Sequence, residues 1–272
     1  MPNPMFNEST MKNASQNWAP PQPGTDYIPP ITDGPVTPWR AGVMTVGGTI
    51  TATTVLFALL LVTAAAGWIA ADGPTTVDGQ DTYQFPALAW GGLLVGFVCV
   101  IGLYFKPHLA KILGPIYALA QGFFLGAISK GYETFYDGIV VQAAGATIGV
   151  FAAMLILYKT QIIKVTDRFR RIVIGATFGI MLFYGACLLL SLFAGSDSIS
   201  FLSSPSLLGI GFSVLVAGLA AMNLALDFDF IDRGVKQGLA KDFEWYAAFG
   251  LLVTIVWLYL EMLRLLAKLR ER

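Results

Sequence analysis

Long apolar segments separated by short polar ones set the pattern of this chain. They recur near Ala41–Ala71, Phe85–Phe105, Leu113–Ile128, Ile139–Tyr158, Ile172–Ala194, Leu207–Leu226 and Trp245–Leu263. A helix rises about 1.5 Å per residue, so about 20 apolar residues cross the hydrocarbon core of a bilayer. Most of the segments reach that length; Leu113–Ile128 does so only if its helix continues towards Tyr132. Backbone N–H and C=O groups find no water in lipid and must bond within each segment, which makes the segments helices. The pattern therefore predicts an all-α integral membrane protein with about seven transmembrane helices.

Composition agrees. Hydrophobic residues make up 56% of the 272 and charged residues 12%, against about a quarter charged in soluble domains. The formal net charge is zero, so no global basic field exists to hold nucleic acid. The expected surroundings are a lipid bilayer, and no particular protein partner can be read from the chain. Residues 1–38 hold nine of the 14 prolines and few apolar residues, the composition of a disordered tail. The division is thus a Pro-rich tail, 1–38, and a transmembrane domain, 39–272. The tail lacks the basic, apolar and small-residue succession of a signal peptide, so the first apolar segment is expected to be a retained span.

Lysine and arginine give an orientation. With the tail in the cytoplasm, the inner loops carry twelve basic residues, among them Lys106, Lys111, Lys159–Arg171, Arg233 and Lys236, against Lys130 alone outside, as the positive-inside rule requires. Arg264, Lys268, Arg270 and Arg272 break the rule if the last segment crosses fully; otherwise that segment is re-entrant. The basic stretch Lys159–Arg171 sets topology, with anionic headgroups a second use. Small-residue pairs at Gly92/Gly96, Gly122/Gly126 and Gly145/Gly149 let helix backbones approach closely; packing within the chain is the expected use and a dimer face the alternative.

Catalytic chemistry has little to build with. Cys99 and Cys187 lie inside apolar runs and suit packing. The single histidine, His108, sits in a short basic loop with no cysteine partner, and no nucleophile elbow, phosphate loop or H-E-x-x-H helix follows any segment. An intramembrane protease would want a histidine or an aspartate pair at mid-depth, and neither is cleanly placed. The reading is that the chain is not an enzyme and uses no cofactor.

The informative residues are acids in or beside the last two spans, because an ionised carboxylate in hydrocarbon costs several kcal/mol unless paired or hydrated. These are Asp227, Asp229, Asp232 and Glu261. Asp227 and Asp229 point about 200° apart on a helix, whereas Asp229 and Asp232 share a side. Asp227, hard against the apolar run ending at Leu226, is the best candidate to face the bundle interior. The alternative is an ordinary helix end whose acids pair with Arg233, Lys236 and Lys241. Glu261 lies two turns after Thr254 on the same face, and pairing with Arg264 or Lys268 at the membrane boundary is its simpler use.

Two stretches bring in a family. Gly114-Pro115-Ile116-Tyr117 through Gly126-Ala127-Ile128-Ser129, and Glu244-Trp245-Tyr246 through Leu260-Glu261-Met262-Leu263-Arg264, resemble the bacterial branch of the Bax inhibitor-1 family, as does the start Asn3-Pro4-Met5-Phe6. The resemblance implies six helices packed around a central last helix, a bacterial plasma-membrane location, a link to stress survival, and calcium leak controlled by pH, with Ca2+ as permeant ion. It also implies a sensor made of two aspartates, one on each of the last two helices. Asp227-Phe228-Asp229-Phe230-Ile231 matches the motif of the first, which puts that role on Asp227. For the second, the leucine- and arginine-containing pattern places Thr254 at the family's aspartate, whereas a local match selects Glu261. Asp227 would then couple to Glu261, Asp229, or a cation such as Lys106 or Lys111. A non-conducting adaptor acting in the stress response or in membrane-protein quality control is the alternative function.

Overall fold

The computed structural model describes residues 42–71, 75–77, 80–83, 85–194 and 204–272; the proline-rich tail lies outside the described residues. Seven helices among them are long and apolar enough to cross a membrane. They are α1 (Val46–Ala70), α2 (Ala87–Phe105), α3 (Ala110–Phe135), α4 (Ile139–Lys159), α5 (Asp167–Ala194), α6 (Leu207–Gln237) and α7 (Phe243–Arg270). A two-stranded antiparallel hairpin, β1 (Thr75–Val77) and β2 (Gln80–Thr82), joins α1 to α2. The apolar segments match the helices closely, but α3, α5, α6 and α7 run past their apolar stretches at one or both ends. Once nucleated, a helix continues through polar residues whose groups reach water or an internal partner.

Local chemistry fixes the ends. The Thr45 hydroxyl accepts from Gly48 N at 2.9 Å and starts α1; the Ser206 hydroxyl does the same for α6 with Gly209 N at 3.1 Å, each satisfying an N–H the helix cannot. Gly238 stops α6 at φ 65°, a conformation that costs glycine nothing. The chain before α1 then closes on the α6–α7 turn: Met44 N donates to Leu239 O at 2.7 Å and Lys241 N to Gly42 O at 2.9 Å. The buried Glu244 carboxylate accepts both Thr45 N (3.0 Å) and the Thr45 hydroxyl (2.9 Å).

Glycines set the tightest helix contacts. A Cβ on Gly122 would strike the Leu60 carbonyl, one on Gly126 the Ala64 carbonyl, and one on Gly67 the Phe123 carbonyl, so α1 and α3 touch backbone to backbone. Gly92 and Gly96 seat α2 on α3 in the same way, against Ala120 O and the Gln121 side chain. Packing within the chain thus accounts for two of the three pairs. It does not account for Gly145 and Gly149, which meet nothing within 4 Å; on α4 this pair faces outward.

Burial is concentrated in three helices. Over their most apolar windows α3, α7 and α6 are 56%, 50% and 44% buried, against 22% or less for the others. α7 packs on α1, α3, α4 and α6, sharing the interior with α3 and α6. Leu56, Leu60, Tyr117, Phe249 and Leu252 fill one cluster; Met154, Leu224, Leu251 and Leu258 fill another on the α4 side. α7 is one unbroken helix, and its last turn meets the α3–α4 connection: Arg270 donates to Asp137 O at 2.6 Å and Gln142 Oε1 at 3.0 Å, and the Tyr136 hydroxyl donates to Glu271. α7 begins beside the start of α1 and runs without a break to the opposite end of the bundle, so it has the length of a full span and not the form of a re-entrant segment.

The glycine contacts generate a paired expectation. Gly126→Ala should lower stability by about 1–3 kcal/mol, because the methyl meets a backbone carbonyl that cannot yield cheaply. Gly145→Ala should leave the melting temperature in detergent unchanged or slightly higher, since it meets open space and gains helix propensity. Equal losses from both would show that these glycines do not set the packing.

Candidate functional site

The antiparallel contact between α6 and α7 carries the buried polar groups. Asp227, on α6, is 1% exposed, and Thr254, opposite it on α7, is 2% exposed. The Asp227 Oδ2 atom has no hydrogen-bond partner, and Thr254 comes within hydrogen-bonding reach of the carboxyl, its hydroxyl proton directed to Gly250 O at 3.2 Å. Asp227 therefore faces inward. Arg233 and Lys236 serve other acids, so it is not part of the helix-end pairing.

The neighbouring acids are neutralised. Asp229, pointing away from Asp227, accepts from Arg170 of α5 at 2.8 Å and from Arg233 at 2.9 Å. Asp232 pairs with Lys236 at 2.6 Å on the exposed surface. Asp229 and Asp232 do share one side, where both line a cavity of about 290 Å³. Lys111 is held by Asp242 at 2.7 Å, and Lys106 caps the end of α2, so Asp227 gets no cation from Lys111.

Farther along the same face of α7 stand Glu261 and Lys268, at seven-residue steps from Thr254 and so within about 40° of it. Glu261 Oε1 accepts from Arg264 at 2.8 Å. Arg264 also donates to the Tyr184 hydroxyl of α5 at 2.8 Å, and that hydroxyl turns to Glu261 at 3.5 Å. Glu261 is 2% exposed, the Trp257 side chain comes within hydrogen-bonding reach of its carboxyl, and its Oε2, like Oδ2 of Asp227, has no hydrogen-bond partner. Lys268, 3% exposed, donates to Gly209 O at 2.9 Å and Ser213 Oγ at 2.8 Å on α6. The sequence reading placed the Glu261–Arg264 pair at the membrane boundary; the pair forms, but with its carboxylate inside the bundle.

Buried polar groups thus recur along a seam between α6 and α7, from Asp227 and Thr254, to Glu261, to Lys268 and Ser213, over about 21 Å of helix axis, with apolar side chains such as Leu224 and Leu258 packed between them. Residue spacing could not disclose the partners of Arg170, Tyr184, Ser213 and Lys268, because these lie 55 to 80 residues away. Buried groups with an open acceptor can hold a proton or a cation. Among the described residues no group of three histidine, cysteine or acidic side chains could hold a metal ion.

A multi-pass helical membrane protein with its buried carboxylates on the last two helices is what fold and seam define. The chain belongs to the Bax inhibitor 1 like family, whose model matches residues 3–271. A search of curated proteins finds no match.

The two aspartates of α6 should answer oppositely to amidation. Asp229→Asn leaves two guanidiniums facing a neutral group and should cost about 3 kcal/mol, the usual penalty for breaking a buried pair. Asp227→Asn removes an unpaired buried acid and should change stability by less than about 1 kcal/mol, in either direction. Thermal unfolding of the two variants in one detergent measures the contrast.

Proposed function

We propose that this protein is a cation leak pathway, calcium being the expected ion, in a bacterial plasma membrane with the start of α1 on the cytoplasmic side, and that protonation of Asp227 controls it. The observation that carries the reading is the fully buried Asp227 carboxyl beside Thr254, its Oδ2 without a hydrogen-bond partner and with no cation paired to it among the described residues, at one end of a row of buried polar groups along the α6–α7 contact. Membership of the Bax inhibitor 1 like family supports it further. A carboxylate without a counter-charge is compensated by a proton or by a passing cation, and the exchange of one for the other couples conduction to pH.

The partner residue gives this chain its own character. Where two carboxylates face each other they share a proton and titrate as a pair. Thr254 offers a hydroxyl instead, so Asp227 acts singly and its pH response follows one site. Glu261, held by Arg264, is the second acid of the pathway, two turns farther along and not a direct partner.

In proteoliposomes containing the purified chain, Asp227→Asn should abolish the pH dependence of calcium flux and fix the rate at one level. Thr254→Asp, which places a second carboxyl against the first, should turn a single-site profile into a broader two-step one. An unchanged flux and pH profile in Asp227→Asn would sink the assignment, and a wild-type protein that passes no cation would remove the transport class. Under the adaptor reading, deletion of residues 1–38 abolishes the stress phenotype; under the leak reading the phenotype survives the deletion.

A further inference from the structure

The cavity at the α4–α5 turn is separate from the seam and has chemistry of its own. Asp229, Asp232, Arg233, Lys236, Lys164 and Tyr158 are among its lining residues. Three cations face two carboxylates, and both carboxylates are engaged: Asp229 by Arg233 and by Arg170, which reaches in from α5, and Asp232 by Lys236. Lys164 has no carboxylate partner among the described residues. The lining therefore keeps positive charge that no acid of the cavity neutralises.

The turn that carries Lys164 is held in a set shape. Gln161 sits at φ 59°, a conformation a non-glycine residue keeps only when its surroundings enforce it. Here Ile163 N donates to Leu157 O at 3.1 Å, and the Gln161 side chain donates to Tyr158 O at 3.3 Å. At the tip stands Ile162, 70% exposed. α4 ends at Lys159 and α5 starts at Asp167, so the turn lies where apolar spans give way to polar chain, the depth of lipid phosphates. A cationic cavity with an apolar residue at its rim suits an amphiphile better than a free ion.

We propose that this cavity binds the phosphate of an anionic phospholipid headgroup, with Lys164 and Lys236 as its cations and Ile162 entering the acyl boundary. The ammonium of Lys236 has three donors and bridges the phosphate without leaving Asp232. The site is independent of conduction: it binds lipid whether or not the seam passes ions.

Native mass spectrometry of the full-length chain in detergent, titrated with phosphatidylglycerol, phosphatidylcholine or inorganic phosphate, tests it. Phosphatidylglycerol should bind saturably and at least about tenfold more tightly than phosphatidylcholine. Lys164→Gln and Lys236→Gln should each weaken it about fivefold and together about thirtyfold, the effect of one cation at a headgroup and of two. Arg272→Gln, at the opposite end of the molecule, should weaken it not at all. Inorganic phosphate should displace phosphatidylglycerol from the wild type. Equal affinity for both lipids, undiminished binding by the double variant with helicity intact, or saturable phosphate binding without lipid binding would each overturn the proposal.

Discussion

The register of α7 against α6 is the constraint on which the rest of this structure depends. Slide one helix past the other by a turn and Asp227 loses Thr254, while Lys268 loses the Gly209 carbonyl and Ser213. The register is pinned at both ends. At one end, the Gly238 turn and the backbone bridge to residues 42–44 hold the α6–α7 connection, and Glu244 ties the first turn of α7 to the first turn of α1. At the other, Lys268 hydrogen-bonds across to α6. Between these anchors the packing is apolar enough that an unpaired carboxyl is conspicuous, and its position is imposed on it by both neighbours.

The same anchoring explains how four basic residues are tolerated at the end of α7. Two of them are spent inside the molecule, Arg264 on Glu261 and Tyr184 and Lys268 on α6, while Arg270 bonds the α3–α4 connection at the surface. Topology rules count charges that meet the membrane potential and the lipid surface as free cations. A cation paired with a carboxylate of its own bundle, as Arg264 is with Glu261, is weakly felt there.

Much of this was legible in the chain, for identifiable reasons. Span positions follow from apolar run length because lipid leaves the backbone no other choice, and the inward aspect of Asp227 follows from its contact with the run ending at Leu226. Asp229 and Asp232 share a side as helical spacing requires. The partners were not legible: Arg170 reaches Asp229 from another helix, Glu244 caps a helix 199 residues away, and the Gly145/Gly149 pair looks in sequence like the pairs that pack. The hairpin after α1 carried a signal that segment hydropathy ignores, the Asp78-Gly79 dipeptide directly after Thr75-Thr76-Val77 in the chain. Sequence spacing describes one helix at a time, whereas a site between helices depends on which faces meet.

The central claim is that one carboxyl, Asp227, sets the pH response of the whole bundle. Its protonation can be followed directly in membranes, as the carboxyl C=O band in infrared difference spectra between wild type and Asp227→Asn, on the same proteoliposomes used for calcium flux. The account predicts that the band assigned to Asp227 and the flux titrate together, with one midpoint and one-site steepness. Two separate midpoints, or a flux that still titrates when the band is gone, would contradict it.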